Sequence, residues 1–238
     1  MTPKDLVVTK HNTLVEASYR LTLDEQRLIL SCISQIDSRK PLPKDNVFTI
    51  TAKEFSEMFN ISDKIAYKQL ENASRNLYEQ DIKTHDKKHR ARFRWVYFVK
   101  YHDGEGKVTL GFSPCVSLYL TELHKHFTSY RLKEITNLRH TYSIRLLEFL
   151  AQFKATGKFI IGLDAFKERL EIKNDYKRFY DLKRRVIEPA VKELKEKSNF
   201  LIKWKSIKSE HRKEVTQLEF IFEHNESKTS KKKSPMAR

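Results

Sequence analysis

Glycine, cysteine and long apolar runs are all scarce in this chain of 238 residues, and each scarcity removes a class of protein. Five glycines are few for an enzyme that cradles nucleotide phosphates. Gly157 and Gly162 have P-loop spacing, but Leu163 and Asp164 follow where Lys and Ser/Thr would hold phosphate and magnesium. The two cysteines, Cys32 and Cys115, lie far apart without CxxC or CxxH spacing, which excludes a disulfide scaffold and a zinc ribbon. No apolar run approaches the ~18 residues of a membrane span. The opening Met1-Thr2-Pro3-Lys4-Asp5 lacks the charged-then-apolar layout of a signal peptide. The expectation is a cytoplasmic protein with no cofactor, no metal and no membrane partner.

Acidic residues are also in deficit, with 31 Asp+Glu against 47 Lys+Arg and a formal net charge of +16. The excess is uneven. Residues 1–120 carry 19 basic and 15 acidic side chains, whereas 121–238 carry 28 and 16. The stretch 176–213 alone holds 13 basic residues against 5 acidic, and 83–100 holds seven against Asp86. Positive charge interleaved with Tyr, Phe and Trp is the footprint of a nucleic-acid binder, which neutralises phosphate and releases counterions. A basic surface also suits membranes and acidic partners. Lys231-Lys232-Lys233 sits in an aromatic-free tail, 225–238, that reads as disordered.

Local patterns place the elements. Thr22-Leu23-Asp24-Glu25 and Thr51-Ala52-Lys53-Glu54 are capping boxes that open helices. A longer helix from Ser62 or Asp63 to about Gln80 carries Ala66, Leu70, Ala73 and Leu77 on one face. Val47–Ile50, Phe93–Val99 and Val108–Phe112 read as strands, the last two joined near Asp103-Gly104. The order then recurs: a helix over 140–155, a strand at Phe159–Ile161 and a short helix capped by Asp164. A long helix from about Asp175 with Phe179, Leu182, Val186, Ala190 and Leu194 comes next, then strands at 200–207 and 215–222. Arg27-Leu28-Ile29 matches Arg145-Leu146-Leu147, Phe55, Phe59 and Ile61 match Phe166, Leu170 and Ile172, and Arg94-Trp95 matches Lys203-Trp204. Helix, strand, helix, helix, strand, strand is the order of a winged helix. The fold expected is therefore α+β, two tandem winged-helix domains related by a pseudo-repeat. Residues 1–120 form the first, 121–138 a linker and 139–224 the second, which does most of the DNA reading.

In such a unit the second helix of the helix-turn-helix enters the major groove. The stretch 176–187 has five basic residues and one acid, so it repels itself unless an anion lies nearby. Lys177, Arg178, Lys183, Arg184 and Arg185 are the candidates for base edges and phosphate, with Tyr180 on the same outward face. Lys203, Lys205, Lys208, Arg212 and Lys213 would form the second wing. The first unit is less basic: Lys64, Lys68 and Arg75 lie on its long helix, and Lys87, Lys88, Arg90, Arg92 and Arg94 on its wing. Trp95 and Trp204 sit in apolar strand stretches and read as core. Two units could span successive major grooves, about 20 base pairs, without requiring a dimer.

Two further motifs carry a family resemblance. The run Asn12, Leu14, Ala17, Leu21, Leu23, Gln26-Arg27-Leu28, together with Tyr142-Ser143-Ile144-Arg145-Leu146-Leu147-Glu148, resembles the plasmid replication initiators of the Rep_3 family. So does the second helix-turn-helix, Tyr176-Lys177-Arg178-Phe179 and Leu182-Lys183-Arg184-Arg185-Val186, which adds Tyr176 to the candidates. The resemblance spans about residues 6–224. It implies double-stranded DNA at directly repeated origin sequences (iterons) as ligand, host initiation factor and helicase as partners, a homodimer that represses its own gene, and association with plasmid DNA. The leucine heptad common in the family stops here after Leu14, Leu21 and Leu28, because Gln35 follows.

Two other functions stay open on sequence. A tandem winged-helix transcription regulator would share every feature except the resemblance. A rolling-circle nicking enzyme would use His124, His126 and Tyr130, but Lys125 places an ammonium where the metal site needs an apolar residue. No catalytic residue is therefore assigned.

Overall fold

The computed structural model describes residues 6–42, 46–85, 89–209 and 214–225. The chain begins with β1 (Val7–His11) and α1 (Asn12–Glu16), followed by α2 (Leu23–Ile33), β2 (Val47–Thr51), α3 (Ala52–Phe59) and α4 (Asp63–Tyr78). A hairpin of β3 (Asp81–His85) and β4 (Arg90–Arg94) precedes β5 (Val96–His102), β6 (Lys107–Phe112) and α5 (Pro114–Ser117). Then come β7 (Phe127–Arg131), α6 (Thr141–Gln152), β8 (Lys158–Gly162), α7 (Leu163–Arg169), α8 (Phe179–Leu182), α9 (Glu188–Lys197), β9 (Phe200–Lys208) and β10 (Val215–His224). The tail expected to be disordered falls, from 226 onward, outside the described residues.

Both capping boxes form. Thr22 N–H donates to the Glu25 carboxylate at 2.9 Å, and Thr51 N–H to Glu54 at 2.8 Å. Each box satisfies two amides that a helix start would otherwise leave unpaired. The two helix-turn-helix units also bend by one main-chain device. Asn60 (φ 50°) follows α3 and Glu171 (φ 56°) follows α7, both left-handed. The next residue then reaches back five positions, Ile61 N–H to the Ser56 carbonyl at 3.1 Å and Ile172 N–H to Lys167 at 2.9 Å. These are six-to-one bonds that close a helix end, and they recur at an offset of 111 residues.

The sheets repeat too. Strand order is β2-β6-β5 in the first unit and β8-β10-β9 in the second. Phe48 faces Leu110 as Phe159 faces Phe220, and Ile50 faces Val108 as Ile161 faces Leu218. The proposed match of Trp95 with Trp204 fails, however. Val99 pairs with Leu110 and Trp204 with Phe220, so Val99 occupies the place of Trp204. The hairpin β3–β4, present only in the first unit among the described residues, consumes the chain that the match had counted.

Two other expectations are corrected. The segment 121–138 is not a plain linker, because it contains β7, which pairs along its whole length with β1. The long helix of the second unit starts at Phe179 rather than near Asp175, and a π-helical turn at Lys183–Ile187 interrupts it. In addition, Asp164 lies in the first turn of α7, and Gly162 holds the capping position.

Buried apolar residues of both units form one continuous core. At its centre lies a polar knot that joins β1 to α6. Lys10 and Glu148, each 1 % exposed, form an ion pair. Arg145 bonds Glu148 at 2.9 Å and also the Tyr19 hydroxyl, and Tyr130 donates to Glu148 at 2.8 Å. Burial alone would raise the Glu148 carboxyl, but the charges of Lys10 and Arg145 and hydrogen bonds from Lys10 and Tyr130 hold it below the ordinary range.

Candidate nucleic-acid interface

Helix α7 is seated by Phe166, which packs on Phe149 and Phe220. After Glu171 the chain buries Ile172 and runs outward through 173–178 before entering α8. Two ties hold this loop: the Lys167 ammonium donates to the Tyr176 carbonyl at 3.0 Å, and Asp175 accepts from Arg20 at 2.7 Å. Burial, with Tyr176 close by, pushes the Tyr142 phenol up to about 12.

From α8 to α9 the inward face is Leu182, Val186, Ile187, Ala190 and Leu194. The outward face is Tyr180, Arg184 and Arg185, continued by Lys177 and Arg178 just before α8, all exposed, with Tyr176 half-buried at its edge. Tyr180 is 64 % exposed, and the Arg184 guanidinium lies 5.7 Å from its ring centroid, so the two form an outward pair. Among the described residues, none of Lys177, Arg178, Arg184 and Arg185 has a carboxylate partner. Lys183 differs: it pairs with Glu188 at 3.4 Å and lies 6.0 Å from the Trp204 ring centroid. Asp175 and Asp181 border the same depression as Lys177, Arg178 and Arg185, so the face keeps an excess of positive charge that favours an anion.

The wing is mixed. Lys203 and Lys208 are exposed and have no carboxylate partner among the described residues. Lys205 is held by Glu219 at 2.7 Å, which also takes Lys158 at 2.8 Å; hydrogen bonds from both lysines hold that carboxyl below its usual range. Arg212 and Lys213 lie outside the described residues. Trp204 is half-buried and stacks on Phe220, and Trp95 is fully buried edge-on to Tyr19, so both serve packing.

In the first unit Lys64, Lys68 and Arg90 are exposed and have no carboxylate partner among the described residues. Arg75 is taken by Glu71 at 2.6 Å. Asp81 binds Arg92 and, at 3.2 Å, Arg94, which also reaches Glu79 at 3.1 Å. Lys87 and Lys88 lie outside the described residues. Much of the cation expected on this wing is thus neutralised within the chain. Sequence reasoning passed over exposed Lys173 and Lys192, although the local excess of charge could have flagged both.

Tyr130, weighed as a nucleophile, is buried with its hydroxyl on Glu148, while His124 and His126 are exposed. Burial pushes that phenol well above its ordinary value. No helix among the described residues is long and apolar enough to cross a membrane. The geometry offers two helix-turn-helix units, one with an open cationic face suited to phosphate oxygens and base edges.

Known proteins share this arrangement. Residues 7–151 match the family described as Initiator Replication protein, WH1, and residues 162–222 match Initiator Rep protein, WH2. A replication initiation protein of Escherichia coli is 32% identical over 204 residues, 82% of this chain and 64% of its own length. The chain therefore spans a little under two thirds of that relative. The PI protein of Escherichia coli is 24% identical over 261 residues, 95% of this chain and 86% of its own. In fold, the chain superposes on a crystal structure of the Pi initiator protein in complex with iteron DNA with a TM-score of 0.80, covering 94% of this chain and 99% of that one at 23% identity. With both family matches lying in chain order over most of its length, this protein belongs to the Rep_3 family of initiator replication proteins.

Proposed function

We propose that this protein starts plasmid replication by binding double-stranded DNA at directly repeated origin sequences, without catalysing a reaction itself. The observation that carries the reading is the row Lys177 and Arg178, just before the helix that follows the second turn, and Tyr180, Arg184 and Arg185 on it, its four cations having no carboxylate within ion-pair distance among the described residues. Arg and Lys reach guanine O6/N7 and phosphate from such a helix. Lys203 and Lys208 then grip the backbone beside it, and Lys64, Lys68 and Arg90 do so from the first unit. A relative of the same fold has been seen on iteron DNA, which supports the same class of ligand here. Recruitment of a host initiator and helicase, repression of the protein's own gene by a dimer, and residence on plasmid DNA belong to the same reading.

Footprinting on DNA beside the gene tests it. Protection should recur at a fixed interval over repeated sequence, with each protected stretch about 20 base pairs for two units. A plasmid whose copy of this reading frame is disrupted should fail to replicate unless the protein is supplied in trans. Unaided replication of that plasmid would leave a transcription regulator as the better reading.

A further inference from the structure

The helix that bears the cationic face is not a regular one. Glu188 N–H bonds the Lys183 carbonyl five residues back, the mark of the wide π turn. The cause is one residue on. Pro189 has no N–H to return to the Arg185 carbonyl four residues earlier, and its ring crowds that oxygen in an α-helix. That oxygen is therefore left without its α-helical donor. The segment after the turn is anchored separately: Glu193 accepts the Arg139 and His140 amides at 2.8 and 2.9 Å, which fastens α9 to the start of α6.

The turn also changes which side chains share a face. At about 100° per residue, Leu182 and Leu194 would sit about 120° apart around an unbroken α-helix. Both are fully buried on one side. A wide turn that absorbs one residue brings them within about 20°. The same rotation applies to the outward residues before and within the turn.

We infer that Pro189 is a positioning residue for DNA recognition: by holding the wide turn, it sets the rotational phase in which Tyr180, Arg184 and Arg185 meet the duplex. This rests on the reading of that helix as the DNA-facing one. Pro189 lies on the far side of the turn from Tyr180 and acts on the contact through the backbone alone.

The experiment compares two duplexes on the full chain. One is the sequence that the wild-type protein recovers from a random pool; the other is a scrambled duplex of equal length. Pro189→Ala should lose about tenfold or more in affinity for the recovered duplex, the size of one misplaced base contact. Its affinity for the scrambled duplex and its thermal midpoint should not fall. Pro189→Ser, which likewise restores the N–H, should give the same split. Wild-type affinity of both variants for the recovered duplex, or an equal loss on both duplexes, would overturn the inference. If the wild-type chain recovers no sequence at all, the DNA-reading role of the helix falls instead, and the positioning role with it.

Discussion

Arg27 of α2 and Arg145 of α6 occupy equivalent places in the two units, and each reaches into the chain that leads to the other's helix. Arg27 donates to the Leu138 carbonyl at 3.0 Å; Arg145 donates to the Ala17 carbonyl at 2.9 Å and to Val15 at 3.2 Å. Both guanidiniums are buried, Arg27 against the Phe59 ring and Arg145 against Tyr19 and Phe149. Their carboxylate partners differ in exposure, 28% for Asp24 and 1% for Glu148. Asp24 can turn to water when its arginine is removed, and Glu148 cannot. Arg145→Ala should therefore cost about 3–5 kcal/mol, as for a broken buried ion pair. Arg27→Ala should cost about 1–3 kcal/mol, mainly for the unpaired carbonyl. Urea unfolding of the two variants measures the difference, and equal losses would refute the argument from exposure.

Acid should act through Glu148 and Glu193. Both carboxyls lie below their ordinary value of 4.5. In each, burial pulls upward and is outweighed, by Lys10 and Arg145 in one and by bonds from Lys197, His140 and Arg139 in the other. A depressed carboxyl binds its proton more readily when unfolded. Its contribution is complete above 4.5 and is lost as pH falls through the lower folded value. Thermal midpoints should hold from neutral pH to about 5 and drop below that. Glu193→Gln should lower the plateau and flatten the drop; an unchanged profile would show that this carboxyl contributes nothing.

Arg184→Ala should weaken binding to the specific duplex by about 1–3 kcal/mol and spare scrambled DNA. Removal of Lys203 or Lys208 should weaken both duplexes alike and reduce the salt slope by about one unit each. Competition titrations over a range of salt separate the two behaviours. A flat salt response would contradict any phosphate role.

Asp81 restrains two of the first wing's cations, Arg92 and Arg94. Asp81→Asn should free them for phosphate, so affinity for scrambled duplex should rise and the slope of log K against log salt should steepen by about one to two. If neither changes, that wing does not touch the DNA.

The contrast between cations and their counter-ions marks what the chain discloses in one dimension. Capping boxes, the two helix-turn-helix units and the second basic helix could all be read, because each depends on neighbours within a few positions. The β1–β7 pair was missed because its partners lie about 120 residues apart, and because β7 inverts the usual pattern: Thr128 and Tyr130 face inward while Phe127 is exposed. The burial of Arg27 and Arg145 was not legible, since only tertiary structure supplies the carbonyls that receive them. Pro189 was in plain view, yet the apolar spacing around it suits a continuous helix. Its effect shows only once the Glu188 N–H is seen on the Lys183 carbonyl.

The arginine exchange has a consequence for how such chains diverge. The acceptors at residues 15, 17 and 138 are main-chain oxygens, and no change of side chain there deletes them. The arginine bonds thus outlast any substitution at these three positions that keeps the backbone in place, whereas the shared core and the Lys10–Glu148 pair depend on side chains from both halves.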